Sequence, residues 1–163
     1  MIHPPKIRIA TAKDQPGIFA LVEDLYTDFG YVASQDLGEA DLVDLKTHYF
    51  DKGGCFWVLE DTNQIVGTHG YLPCQPGTHI CTFRRLYLAR DYRGTEWGQR
   101  LMQVTIDWAR EQGMQRIEFW SDTHYSRAHR FLEKFGFTLT DRIREMHDGL
   151  QPYQERFCFL DLD

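Results

Sequence analysis

The stretch that most restricts this chain is RRLYLARDYRGTEWGQRLM, from Arg84 to Met102. Its first residues read as a strand, a short loop with Gly94 follows, and helical spacing of apolar residues begins after Gly98. A strand that enters a helix through such a loop gathers free backbone N–H groups and the positive helix end at one point. That point suits a phosphate or pyrophosphate. Gly94 and Gly98 have no side chain, so backbone can approach a ligand closely, and Arg93 and Arg100 add positive charge. A plain strand-to-helix connection with a solvated arginine would carry the same letters, so the rest of the chain must decide.

Lys6 to Ala10 alternates apolar and basic residues, which predicts a first strand. Asp14 stands where it can cap a helix bearing Ile18, Leu21, Val22, Leu25 and Phe29. Gly30 to Gly38 reads as a loop, and Glu39 to Asp51 as a second helix with Leu42, Leu45 and Tyr49 on one face. Cys55 to Glu60, Gln64 to Leu72 and Thr78 to Ala89 read as three antiparallel strands, the first two joined by Asp61-Thr62-Asn63. Gly98 to Gln112 is helical and ends at Gly113; Arg116 to Trp120 is a strand. Ala128, Phe131, Leu132 and Phe135 mark a further helix that Gly136 ends. Phe137 to Thr140 and Glu155 to Leu162 close the chain as strands. The order β-α-α-β-β-β-α-β-α-β-β predicts an α/β fold with a mixed sheet. At 163 residues it suits one domain, residues 1–163.

The net charge of −6 argues against a nucleic-acid partner, because phosphate backbones need a basic surface. The local cluster of Arg84, Arg85, Arg90, Arg93 and Arg100 fits a small anionic ligand instead. Cys55, Cys74, Cys81 and Cys158 form no C-x-x-C pair, so neither a metal site nor a disulfide framework is expected. The start, MIHPPKIRIA, has no apolar signal region, and no apolar run nears the ~20 residues that span a bilayer. A soluble cytoplasmic protein without a membrane partner is the expectation.

In this order, several segments resemble the GCN5-related N-acetyltransferase (GNAT) family. Arg93 to Gly98 resembles that family's R-x-x-G-x-G/A pyrophosphate loop, and RLYLARDYRG its fourth strand and exit. IRIATAKD, QIVGTHGYL and SRAHRFLEKFGF resemble its start, its third strand and its fourth helix. The resemblance implies an acetyl-CoA-dependent N-acetyltransferase acting by direct transfer to a primary amine of a small molecule or peptide. It implies that main-chain groups of Leu86, Tyr87 and Leu88 hold the pantetheine arm. Arg93, Gly94, Thr95, Glu96, Trp97, Gly98 and Gln99 would wrap the pyrophosphate. A strand amide would stabilise the oxyanion. Tyr26, Phe29 and Tyr31 would lie near the acceptor, where an acidic, aromatic pocket would favour a cationic amine. A homodimer through the last strands, with Phe157 and Phe159, is also implied.

Three positions depart from the family pattern. Glu96 stands at the first loop glycine, where a carboxylate would repel phosphate and a side chain would obstruct a positive-φ turn. Leu132 stands where many members carry a tyrosine acid, and Thr82 where many carry a glutamate base. Asp122, His124 and Tyr125 are therefore the catalytic candidates, with His69 and His79 behind them. Asp122 equally suits a turn cap and His124 a surface residue. Trp97, Trp108, Trp120 and Phe131 read as core, and the acidic run Asp36 to Asp44 as a solvated face. The missing acid and base leave open a second class of function, an acyl-CoA-binding or protein-interaction module without turnover.

Overall fold

The computed structural model describes residues 3–163. One sheet of seven strands organises the chain, with strand order β1-β2-β3-β4-β5-β7-β6. The strands are β1 (Lys6–Ile9), β2 (Cys55–Asp61), β3 (Gln64–Pro73), β4 (Ile80–Leu88), β5 (Arg116–Asp122), β6 (Thr138–Met146) and β7 (Tyr153–Asp161). The helices are α1 (Gln15–Tyr26), α2 (Leu45–His48), α3 (Glu96–Glu111) and α4 (Ser126–Phe135). All neighbouring strands run antiparallel except β4 and β5, which α3 joins as a crossover.

Alternation along the strands sorts side chains into two cores. Cys55, Trp57 and Leu59 of β2 join Leu101, Met102 and Ile106 of α3 on one face. Phe56 and Val58 join Ile18, Val22 and Tyr26 of α1 on the other, with Leu42, Leu45 and Tyr49. The β2–β3 hairpin turns on Thr62 and Asn63, both at positive φ (47° and 63°). This is the pair of conformations a two-residue turn needs to follow the twist of the strands.

The expected helix over 39–51 is broken. A 3-10 turn covers Ala40–Val43, α2 has only four residues, and another 3-10 turn covers Phe50–Lys52. The break is at Asp44, whose φ of −152° is not helical and whose Oδ1 accepts the Thr47 amide. Gln15 of α1 holds the gap open: its Nε2 donates to the Val43 carbonyl, and its Oε1 accepts the Leu45 amide. A tertiary side chain thus replaces the hydrogen bonds a continuous helix would have made.

The acidic run is not a solvated face throughout. Glu39 and Asp41 are buried. The last hairpin is also longer than its apolar pattern implies, because after an irregularity Ile143 to Met146 pair with β7 through mostly exposed residues. Phe157 is buried, and the Arg142 guanidinium of the same chain lies 4.6 Å from its ring centre. No helix among the described residues is long and apolar enough to cross a membrane.

His69 on β3 lies at 1% exposure against Phe83, its Nδ1 2.8 Å from Thr105 Oγ1. Burial pushes its pKa down to about 3. The unfolded chain therefore binds a proton below about 6.5 that the folded chain refuses, and stability is lost as pH falls below that value. The expected result is a fall of about 1.4 kcal/mol per pH unit between roughly pH 6 and 4 from this residue alone. Urea unfolding of His69→Asn across that range should lose one proton's worth of slope. An unchanged slope would count against a neutral buried imidazole.

Candidate functional site

The site begins where β4 leaves β5. The two strands pair only at Ile80 with Arg116 and Cys81 with Ile117. Beyond Cys81 the β5-facing edge of β4 has no strand partner, so main-chain groups there are free for a ligand. On its other edge β4 keeps pairing with β3 through Leu88, with an irregularity between Thr68 and Gly70. Arg85 sits in that bulge at φ 61°. A bulge of this kind bends the strand away from its neighbour and re-aims side chains. Thr68 Oγ1 donates to the Arg85 carbonyl at 2.8 Å and fixes it.

A cavity of about 370 Å³ fills the opening. Thr82 to Tyr87 of β4, Phe119 to Asp122 of β5 and Leu132 of α4 line it. Tyr26 and Tyr31 close it from the α1 side, and the turn 147–152 after β6 closes it from the other. Gln151 ties the two rims: its Oε1 accepts the Val32 amide at 3.2 Å.

The β4–α3 loop lies at one end. Arg93 Nε donates to the Leu88 carbonyl at 3.2 Å. Gly94 takes φ 72°, and Thr95 caps α3 with its Oγ1 toward the Trp97 amide. The loop's positive φ is therefore at Gly94, and Glu96 is already helical, so its side chain meets no backbone obstacle. Its carboxylate is exposed and pairs with Arg100 one turn on, at 3.1 Å. The feared obstruction is removed by a helix that starts two residues earlier than the sequence pattern indicates. A Cβ built on Gly98 would point between Phe131 and Leu88, 3.7 Å and 3.8 Å away. That open cradle, bounded by β4 and α4, fits an extended ligand lying across the helix start.

At the other end, three of the sequence candidates meet. Asp122 is buried, and its Oδ1 accepts the His124 amide at 2.8 Å and lies 3.0 Å from His124 Nδ1. Tyr31 Oη is 2.8 Å from the same Nδ1. The Nδ1 atom is therefore within hydrogen-bond reach of both the Asp122 carboxylate and the Tyr31 hydroxyl. His124 is mostly exposed and stands outside the cavity wall, whereas Asp122 is part of it. Asp122 also serves as the turn cap that its sequence context suggested. Tyr125 begins α4 and lines the cavity, its ring 4.8 Å from Phe29 and 6.3 Å from Tyr87. Burial and the neighbouring Tyr87 and Asp122 push its hydroxyl far above the ordinary tyrosine range.

Other candidates fall elsewhere. Phe29 stands behind Tyr31 and Tyr125 rather than on the wall. His79 is exposed in the turn before β4, away from the cavity. His69 reaches the wall but is held by Thr105. Trp120, read as core, lines the cavity instead. Leu132 is buried and supplies no proton.

The fold withdraws Arg85 and Arg90 from the basic cluster expected to meet an anion: Arg90 pairs with Asp24 and Asp28, and Arg85 is turned inward. Its guanidinium is buried and donates to both Asp41 oxygens (2.6 and 3.1 Å), to the Gly38 carbonyl (2.7 Å) and to Tyr26 Oη (3.3 Å). Asp41 is therefore spent on Arg85, and the expected acidic pocket offers less to a cation than the run of acids suggests. Among the described residues no group of three or more His, Cys, Asp or Glu is placed to hold a metal.

The sequence model of the acetyltransferase (GNAT) family matches residues 18–137. The chain is 32% identical over 114 residues to the probable N-acetyltransferase camello of Xenopus tropicalis. That match covers 69% of this chain but only 52% of camello, about half of the relative's length. Among solved structures, an acetyltransferase of the GNAT family from Staphylococcus aureus Mu50 superposes with a TM-score of 0.83 at 20% identity, covering 98% of this chain and 100% of that one. The putative acetyltransferase yncA from Salmonella typhimurium, solved with its cofactor acetyl-CoA, superposes with a TM-score of 0.74 at 18% identity, covering 99% and 95%.

Proposed function

This chain belongs to the acetyltransferase (GNAT) family, and we propose that it transfers the acetyl group of acetyl-CoA directly to a primary amine of a small molecule or peptide. The observation that carries the reading is the free edge of β4 beyond Cys81, with the capped start of α3 at one end and Asp122 and Tyr125 at the other. That order matches what an extended thioester needs: anion binding at one end, main-chain hydrogen bonds along it, and proton-transfer groups beside its reactive end.

The roles follow from the chemistry. The amides from Gly94 to Gln99 and the α3 dipole bind the pyrophosphate. Main-chain groups of Leu86 to Leu88 align the pantetheine arm, and a β4 amide stabilises the oxyanion as the amine adds to the thioester carbonyl. Asp122 orients the acceptor ammonium, whose proton passes to solvent before the neutral amine attacks, and His124 holds the Asp122 carboxylate in place. The C–S bond then breaks. Tyr125 keeps its proton at neutral pH, because burial disfavours its phenolate, so its hydroxyl can hydrogen-bond the departing thiolate.

Calorimetry with acetyl-CoA, followed by thiol release across a panel of amines, tests this. Binding with amine-dependent release supports transfer, and Tyr125→Phe should then lower kcat by roughly 10²-fold. Binding with no release on any amine would favour the acyl-CoA-binding module that Leu132 and Thr82 suggest. No binding at millimolar ligand would defeat both. Glu96→Gln should change acetyl-CoA affinity by less than about threefold, because the exposed carboxylate is already paired with Arg100. A gain beyond tenfold would mean that Glu96 opposes the pyrophosphate after all.

A further inference from the structure

We propose that the acceptor is an amine that also carries a carboxylate, and that Arg84 binds that carboxylate; this rests on the acetyl-transfer reading above. Arg84 and Arg85 are consecutive residues at the β4 bulge, and both line the cavity. A regular strand would send neighbours to opposite faces, whereas the bulge lets both serve one wall. Their surroundings differ. Arg85 is consumed by Asp41, the Gly38 carbonyl and Tyr26. Arg84 is exposed, and among the described residues its guanidinium has no ion pair or hydrogen-bond partner.

The excess of positive charge is local to the bulge, since the whole lining sets Arg84, Arg85 and Arg144 against Glu39, Asp122, Asp148 and Glu155. Arg84 is close enough to the buried pair to favour ionisation of Asp41, so two guanidiniums face one carboxylate. A guanidinium with five donors and a fixed fork is suited to a planar carboxylate. The other charges of the wall are satisfied within the chain. Arg144 pairs with Glu155 at 2.7 Å, Asp148 accepts from Tyr153 Oη at 2.9 Å, and Glu39 accepts the Ser34 amide at 2.7 Å. Asp122, on β5, gives its Oδ1 to the His124 amide and ring, and its second oxygen remains to face an ammonium. The cavity therefore presents one uncommitted cation and one carboxylate, which complement a zwitterion. The exposed apolar Val32 and Leu150 on its lining leave room for an apolar substituent.

The test uses matched amines with and without the carboxylate, phenylalanine against 2-phenylethylamine and leucine against isopentylamine, with acetyl-CoA as donor. The wild type should prefer the carboxylated member by tenfold or more in kcat/KM. In Arg84→Met, which changes an exposed side chain, that ratio should fall toward one. Calorimetry with 3-phenylpropanoate, which has no amine to acetylate, gives a readout independent of turnover. It should bind the wild type and lose at least tenfold in affinity to Arg84→Met. Transfer without carboxylate preference, or a preference that Arg84→Met leaves intact, overturns the anion site while acetyl transfer stands. Failure of transfer to every amine overturns the underlying reading and this inference with it.

Discussion

Replacing Asp41 with alanine is expected to destabilise the protein by about 3–5 kcal/mol, because it leaves the Arg85 guanidinium buried without its counter-charge. Arg85 and Asp41 have side chains only 10% and 7% exposed and meet at 2.6 Å. The same carboxylate accepts Tyr49 Oη at 2.6 Å, so one further polar group loses its partner. The expected observation is a lower urea midpoint at an unchanged slope. Arg85→Met combined with Asp41→Ala should recover part of the loss, since no charge is then stranded. If Asp41→Ala alone costs less than about 1 kcal/mol, the pair is not the anchor that its geometry implies. Acid should act in the same sense. Burial alone would raise the Asp41 carboxyl, but the charge and hydrogen bonds of Arg85, with the Tyr49 hydroxyl, outweigh it and hold the pKa below its ordinary 3.8. The folded state therefore binds this proton less readily than the unfolded chain. The contribution is complete above 3.8 and is lost as pH falls through the lower folded value.

The second large effect is expected at Gly98. A carboxylate placed there, in Gly98→Asp, would stand in the cradle between Leu88 and Phe131 where the proposed pyrophosphate passes. A like charge about 4 Å from a phosphate oxygen at a protein surface opposes binding by up to about 4 kcal/mol. Acetyl-CoA affinity should drop by roughly 10²-fold or more. Gly98→Ala separates charge from bulk, because its Cβ would make only ordinary contacts at 3.7 Å and 3.8 Å. Its thermal midpoint should stay near that of the wild type. Equal losses in the two variants would make shape rather than charge the cause, and no loss in either would remove the loop from the binding role.

The contrast between Gly98 and Asp41 also separates what could be read from the chain alone. The order of elements was legible because local periodicity dictates it. Strands alternate, α3 and α4 carry apolar stripes, and Gly136 stops α4 at φ 103°. The loop from Arg93 to Gly98 was legible for the same reason, since a glycine-bearing strand-to-helix turn is a matter of neighbours in sequence. The second helix was misread because Gln15, some thirty residues away, breaks it at Asp44. The fate of Glu96 was misread because the sequence does not say which loop residue takes the positive φ.

The sequence by itself determined the order of strands and main helices and the glycine-bearing turn into α3, which follow from local backbone preference and apolar spacing. Tertiary structure alone decided which charges are spent and which are free. Arg84 and Arg85 are identical in kind and adjacent in sequence, yet one is neutralised by Asp41 and the other lines the cavity with no partner among the described residues. The reason is physical: a charge's role depends on the partner and the burial it meets across the fold, and both are set by contacts between residues far apart along the chain.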